Sequence, residues 1–527
     1  MEWRLRFSAK GISLRSERGD RLISWRDASG GLHQGSLFGV FAALARGEAW
    51  SFPALRPHQR EPWHAFTVQV AALALIRAGV EEMPTQEAAW RDLLLALTPD
   101  HPGGEAWDLV VEDWSKPALL QPPVVVDANR ADYRSQLPTP DALDMLVTAK
   151  NHDVKQERLA EASDEDWLFA LVTLQTMEGI MGAGKYGISR MFGGYGNRMS
   201  LGIRPINQGA GAAFKRDVDR VVADARLRPD RRDGTPLLWT VPWDGTLSLN
   251  IERLDELYVE ICRRIRLQRL PGGLRALGAG SKCSRVAGED LGGNTRDPWM
   301  PLTIDTKKDR KTFGRLVGVT PGSAGFGHRQ MANLLDRQKV TEPLLAKLHQ
   351  HDDRERLAIV ASALPRGQGK TEGLHRRAIR TSRVEEIEAF GDLEVLDRVG
   401  FVAKTRSDEA GEAGRRLRRA LILLVQGGPD QARLDDDAAG KKVDPWVRRF
   451  DGMADRIFFD DAFWAEAAGE AADHRRAWRE RLRVLASTVF TEAAEAAPRT
   501  EMRRIRAKAR ARTMLDAGMA KWLKEIA

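Results

Sequence analysis

Residues 408–426 read DEAGEAGRRLRRALILLVQ. Leu417, Leu421 and Leu424 recur there at the spacing of one helix face, with charged residues filling the other face. The same pattern returns in Trp478, Leu482 and Leu485. Working outward from this stretch, the chain is almost wholly helix-forming from Arg377 to Ala527. Helices are expected at about 382–398, 408–426, 443–468, 471–493 and 498–525. Gly427-Gly428-Pro429 and Asp435-Asp436-Asp437 punctuate them. Residues 377–527 therefore read as an up-and-down, four-helix-type bundle.

Upstream, residues 1–376 read as a large mixed α/β body, which makes the fold class α+β. Trp3, Leu5 and Phe7 alternate with Arg4 and Arg6, a strand pattern. Phe66–Ala78 is an apolar helix, with Pro62 near its start and Gly79 at its end. Ala88–Leu97 is a second helix. Pro117, Pro122, Pro123, Pro138 and Pro140 demand loop or extended chain. Asp164–Met177 is helical, with Trp167, Leu168, Leu171 and Leu174 on one side. Leu254–Leu270 is expected to be a further helix. Glycines crowd Gly179–Gly202 and Gly272–Gly293.

A chain of 527 residues exceeds one compact core, so two or more domains are expected. With 43% hydrophobic and 30% charged residues it is a globular chain rather than a disordered one. The net charge of +8 is modest for the length and points to local basic surfaces, with nucleic acid as the leading partner class. A solvated charged surface is the alternative. Cys262 and Cys283 are the two cysteines, too few for a disulfide framework or a four-ligand zinc site, which suits a cytoplasmic location. The charged start, Met1 to Arg21, reads as no signal peptide, and no apolar run of about 18 residues predicts a membrane span.

Enzyme signatures are incomplete. Arg366-Gly367-Gln368-Gly369-Lys370-Thr371 ends like a phosphate-binding loop, but Leu364 stands where the first glycine belongs. Gly182-Ala183-Gly184-Lys185 is followed by Tyr186 instead of Ser or Thr. Asn151-His152-Asp153 offers one His and one Asp, which read as a polar loop rather than a metal cage. With no nucleophile elbow and no triad, the chain is expected to be non-catalytic and to need no cofactor or metal.

Binding signatures are more numerous. The stretch GIMGAGKYGISRMFGGYGNRMSLG, residues 179–202, mixes glycines with Lys185, Arg190 and Arg198 and with the rings of Tyr186, Phe192 and Tyr195. Glycine lets a backbone approach a partner closely, and cations with stacking faces suit a nucleic-acid groove. A surface loop without a partner is the alternative. Gly278-Ala279-Gly280-Ser281-Lys282-Cys283 is a second glycine-rich tip. A third spans Leu364 to Arg377 and carries Gln368. Arg503, Arg504, Arg506, Lys508, Arg510 and Arg512 form a basic run that serves either as a solvated helix surface or as a phosphate contact.

In their order along the chain these pieces resemble the CasA family, the large subunit of the type I-E Cascade. The landmarks are Lys116-Pro117-Ala118-Leu119-Leu120-Gln121, the loop Leu146 to Val154, Gly182 to Lys185, Gly278 to Ser284, Gly367-Gln368-Gly369, and the aromatic Ile457-Phe458-Phe459 and Phe463-Trp464. The resemblance implies an RNA-guided CRISPR surveillance subunit. It implies that Gly182, Ala183, Gly184 and Lys185, with Lys282, read the protospacer-adjacent motif in double-stranded DNA. Gln368 and Gly369 would form a wedge, and Asn151 and His152 would reach the guide-RNA end. The bundle, with Arg503, Arg504, Arg506, Lys508 and Arg510 on its last helix, would meet nucleic-acid backbone and the displaced single strand. The other Cascade subunits and a helicase–nuclease effector would be its protein partners. The family's clustered cysteines are reduced here to Cys283. Two other function classes remain: a general nucleic-acid-binding scaffold, and a nucleotide-dependent enzyme or nuclease.

Overall fold

Ser163 opens the helix Asp164–Met177. Its hydroxyl accepts from the Asp166 N–H, and the Asp166 carboxylate accepts from the Ser163 N–H at 2.8 Å. This reciprocal cap satisfies two end groups, and three acids in the first turn complement the helix dipole. Every residue from Trp167 to Met177 is buried. Trp63, on the helix Arg60–Ala78, meets Phe169 edge-on at 5.0 Å. Gly79 ends that second helix in a left-handed conformation. The expected helix at Ala88–Leu97 is observed as Glu87–Ala96.

These elements belong to a computed structural model that describes residues 22–144, 159, 161–193, 195–228, 233–322, 324–348, 352, 357–367, 370–371, 373–380, 393–430, 433–469, 473–497 and 501–525. The expected strand around Trp3, Leu5 and Phe7 lies outside the described residues. The chain divides into two units. One is Met1–Gly325 with Thr341–Arg380, and the other is Phe326–Val340 with Thr381–Ala527.

In the first unit Leu254–Leu270 is not a helix. It forms the strands Leu254–Val259 and Arg264–Leu270. The spacing of Leu254, Leu257, Tyr258 and Ile261 mimics a helix face. The turn Pro271-Gly272 decides against it: Gly272 has φ 98°, and Leu270 pairs with Gly273, so Arg264–Leu270 folds back on Gly273–Ala279 as an antiparallel hairpin. Two buried glutamines tie this hairpin to its surroundings. Gln121 accepts from the Leu267 N–H at 2.7 Å and donates to the Leu109 carbonyl at 2.7 Å. Gln175 accepts from the N–H groups of Cys262 and Arg263 and donates to the carbonyls of Leu120 and Arg263. A buried amide stays in place when its donors and acceptors are satisfied in this way.

A further sheet has the buried strand Leu357–Ala363 at its centre. It pairs antiparallel with Ser200–Pro205 on one side and His375–Arg380 on the other.

The second unit is helical, as expected: Leu393–Val425, Asp437–Arg456, Asp461–Ala468, His474–Ala496 and Glu501–Lys524, with the short helix His328–Leu335. Two boundaries differ from the sequence reading. Leu393–Val425 is one helix of 33 residues where two were expected. Gly400 lies inside it, where an added Cβ would come within 2.8 Å of the Leu335 carbonyl oxygen, so the glycine permits close packing against that neighbour. Conversely, 443–468 is split, because the Asp460 carboxylate caps a new helix at the Phe463 N–H. Phe458, Phe463, Trp464 and Trp478 fill the core of this unit, and the buried Arg406 guanidinium lies over the rings of Phe463 and Trp478.

Candidate nucleic-acid interface

The segment Gly179–Gly202 leaves the buried helix Asp164–Met177 and turns back at once. The Lys185 N–H donates to the Gly182 carbonyl at 3.1 Å, and the Met181 N–H donates to the Lys185 carbonyl at 2.9 Å. Gly184 has φ 76°, a conformation that a side chain strains. Its carbonyl is the meeting point of two loops, since it accepts the Ser281 N–H at 3.0 Å. The neighbouring Lys282 N–H donates to the Gly245 carbonyl at 2.6 Å. Gly245 is confined as well: a Cβ there would stand 3.0 Å from the Ser281 Cα.

Three chain segments thus converge, around Gly184, Gly245 and Ser281. Gly182, Ala183, Lys185 and Lys282 are exposed. A cleft of about 290 Å³ adjoins the turn, lined by Gly179, Tyr186, Phe192, Ser284, Glu289 and Gly292 among others. Beneath it lies a buried polar cluster. The Glu260 carboxylate accepts from the Ser189 N–H and hydroxyl, each at 2.8 Å, and burial pushes its pKa up to about 7. Burial likewise pushes the Cys262 thiol up to about 12, so it stays protonated and inert.

The structure corrects two cations of the sequence reading. Arg190 and Arg198 are buried, at 1% and 3% exposure. Arg190 lies 4.0 Å over the Tyr258 ring and donates to the Tyr258 carbonyl, while Arg198 pairs with Asp297 at 3.2 Å. Both are spent inside the fold and offer no charge to a groove. Phe192 is half-buried beneath the Arg310 guanidinium at 4.9 Å.

Solved structures match the chain over nearly its whole length. Cse1, a CRISPR-associated protein from Acidimicrobium ferrooxidans, superposes with a TM-score of 0.64 at 14% identity, covering 98% of this chain and 99% of that one. CasA of Thermus thermophilus gives 0.61 at 16% identity, with 97% and 100% covered. Cse1 of Thermobifida fusca gives 0.55 at 13% identity, with 95% and 97% covered.

The chain has the CasA (Cse1) fold.

No family model matches its sequence, and no curated protein matches it. At such identities the likeness speaks for the fold, and the site must be read from this chain's own residues. In this CasA fold the glycine turn and Lys282 are brought together. Gln368 and Gly369 lie outside the described residues, between strands in which Gly367 pairs with Lys370. That pairing also removes the phosphate-loop reading of Arg366–Thr371, since Lys370–Thr371 is a strand and opens no helix. Asn151 and His152 lie outside the described residues. So does the side chain of Arg503, although its backbone belongs to the helix Glu501–Lys524.

That helix buries Ala507, Ala511, Leu515, Met519 and Trp522 and exposes Arg504, Arg506, Lys508 and Arg510. Asp430 pairs with Arg506 at 3.5 Å and also with Arg510, so the run is partly neutralised from within its own unit.

Sequence reasoning missed two contributors in the first unit. The turn Asp244-Gly245-Thr246 carries the Asp-Gly signature, and the Asp244 carboxylate accepts the Thr246 N–H at 2.9 Å. The loop after Leu302–Ile304 exposes Lys307, Lys308, Arg310 and Lys311. Asp305 shapes this loop by accepting from the Lys307 N–H and the Thr312 hydroxyl. The run 307–311, KKDRK, was its signal. Among the described residues no cluster of three His, Cys, Asp or Glu could hold a metal, and no helix is long and apolar enough to cross a membrane.

Proposed function

We propose that this chain is the non-catalytic large subunit of an RNA-guided CRISPR surveillance complex. In this reading it recognises a short motif in double-stranded DNA and wedges the adjoining duplex open for guide-RNA pairing. The observation that carries the proposal is the hydrogen bond from the Ser281 N–H to the Gly184 carbonyl. It joins the glycine turn to the Lys282 loop, two segments about a hundred positions apart in sequence that the resemblance assigns to one DNA-reading task. Proteins of the same fold are described as CRISPR-associated, which agrees.

The chemistry follows from these groups. Glycine backbone and the Lys185 and Lys282 ammonium groups would approach the minor groove, whose degenerate donor–acceptor pattern permits several motifs. Lys307, Lys308 and Lys311 would meet phosphates, which position a duplex without reading it. Gln368 and Gly369 would hold the first opened pair apart. Strand exchange between guide RNA and DNA is nearly balanced per base pair, so a few local contacts decide whether it starts. Asn151 and His152 would face the guide-RNA end. Other Cascade subunits and a helicase–nuclease would bind elsewhere on the chain.

The test is a gel shift with the reconstituted complex and duplexes differing in the bases beside the paired region. Binding and opening that depend on those bases and on this chain support the proposal. Binding that ignores them sinks it and leaves a general nucleic-acid scaffold.

A further inference from the structure

Two consecutive arginines reach both loops of the interface. Arg263 and Arg264 are 7% and 3% exposed. The Arg263 guanidinium donates to the Tyr186 carbonyl through Nη1 and to the Gly179 carbonyl through Nη2 at 2.8 Å. One planar fork thus closes the glycine turn across its two ends. Arg264 serves the other loop: its Nη1 donates to the Gly280 carbonyl at 2.9 Å. Its aliphatic stem lies against Gly245, where an added Cβ would come within 3.2 Å of Cδ. The Asp132 carboxylate receives the same guanidinium at 3.2 Å, and the Tyr133 ring stacks on it at 5.2 Å.

The pair is itself fixed from behind. Gln175 accepts the Arg263 N–H at 2.8 Å and donates to the Arg263 carbonyl at 2.9 Å, which pins the backbone that carries both side chains. Arg264 also pairs with Ala279 in the hairpin, one residue before Gly280. The glycine turn and the lysine loop therefore hang from adjacent residues of one backbone, in addition to the direct bond between Ser281 and Gly184.

We propose that Arg263 and Arg264 are positioning residues that set the spacing of the two DNA-reading loops, and hence motif specificity. This rests on the function proposed above. A guanidinium is suited to the task because its rigid fork satisfies two acceptors at a defined separation, two carbonyls for Arg263 and a carbonyl with the Asp132 carboxylate for Arg264, whereas an ammonium is a point charge without that geometry. Lysine in place of either arginine keeps the charge and loses the spacing.

The experiment uses Arg263→Lys and Arg264→Lys in the full chain and in the reconstituted complex. Hydrogen exchange at the Ser281 amide reports the junction without DNA. Discrimination between duplexes with preferred and altered flanking bases reports specificity, and a duplex already opened beside the motif bypasses it. The expected result is faster exchange at Ser281 and a roughly tenfold loss of discrimination in each variant, with affinity for the pre-opened duplex within about twofold of the parent. Parent-like exchange together with undiminished discrimination overturns the proposal, and so does an equal loss on both duplexes, which marks a general structural role. A parent complex that does not discriminate at all refutes the DNA-motif reading instead. In that case the Ser281 exchange still decides whether the arginines hold the junction: faster exchange in the variants supports the clamp, and parent-like exchange rejects it.

Discussion

The glycine-turn region and the helix Glu501–Lys524 both display exposed cations, yet they are made in opposite ways. The helix presents Arg504, Arg506, Lys508 and Arg510 because a periodic apolar face, Ala507 to Trp522, turns the intervening residues outward. Its surface is a local consequence of spacing. At the glycine turn, Lys185 and Lys282 are brought to one place by backbone hydrogen bonds among segments 182–185, 245 and 280–282. No periodicity announces that meeting. A cation displayed by a helix can change identity with little effect on its neighbours. A cation displayed by interlocked loops depends on each loop.

The largest expected effect tests how each region carries a buried charge. Arg406, in the helical unit, donates to Glu466 at 2.7 Å and to the carbonyls of Phe458 and Ala462. Arg406→Ala leaves the largely buried Glu466 carboxylate without its guanidinium partner and removes a second contact to Asp460. It should cost about 3–5 kcal/mol in urea unfolding followed on this unit. A loss below about 1 kcal/mol would mean that water replaces the guanidinium.

Next is Glu260 beneath the glycine turn. Its folded pKa, about 7, stands above the 4.5 of an ordinary carboxyl. The folded state therefore holds a proton that the unfolded state has released across this window. Stability from the protonated form is complete below pH 4.5 and is lost as pH rises through about 7, by roughly 3 kcal/mol at most. Glu260→Gln should flatten the pH dependence of the urea midpoint between those values. An unchanged slope would place the carboxylate in a wetter setting than its burial implies.

A smaller effect belongs to the displayed lysines. Lys185→Ala with Lys282→Ala should keep the thermal midpoint and weaken binding to motif-bearing duplex by about 1–3 kcal/mol in the assembled complex. Weakening that is equal on all flanking sequences would reduce the glycine turn to a phosphate contact and erase its difference from the basic helix. The smallest effect is expected on that helix. Arg504→Ala with Lys508→Ala should lower the slope of log affinity against log salt by about 2, with sequence preference unchanged. A shift in preference would give the helix a reading role.

How legible each region was follows from the same contrast. The helix Asp164–Met177 was readable to its ends, because Ser163, the acids after it and the apolar spacing all act within one turn. Leu254–Leu270 was misread because Leu254, Leu257, Tyr258 and Ile261 satisfy a helical period by coincidence, and the Pro271-Gly272 turn outweighs them. The split at Asp460 was visible in principle, since an Asp three residues before Phe463 is a capping signal. Arg190 and Arg198 looked like binding cations because a sequence does not say which guanidinium will be enclosed by Tyr258 or Asp297. Gly184 and Lys282 were joined in one expected task only through the family resemblance, and the part of Gly245 in bringing them together was not foreseen.

The sequence by itself determined most of the helices, their apolar faces and the glycine-rich turns. These are local matters, settled by dihedral freedom, capping and side-chain period within a few residues. Tertiary structure alone decided which cations stay exposed, which arginines become struts, and that residues 184, 245 and 281 share one junction. Those outcomes depend on pairings between distant segments. Each is selected by the burial and hydrogen bonding of the assembled fold, and none has a counterpart in the spacing of residues along the chain.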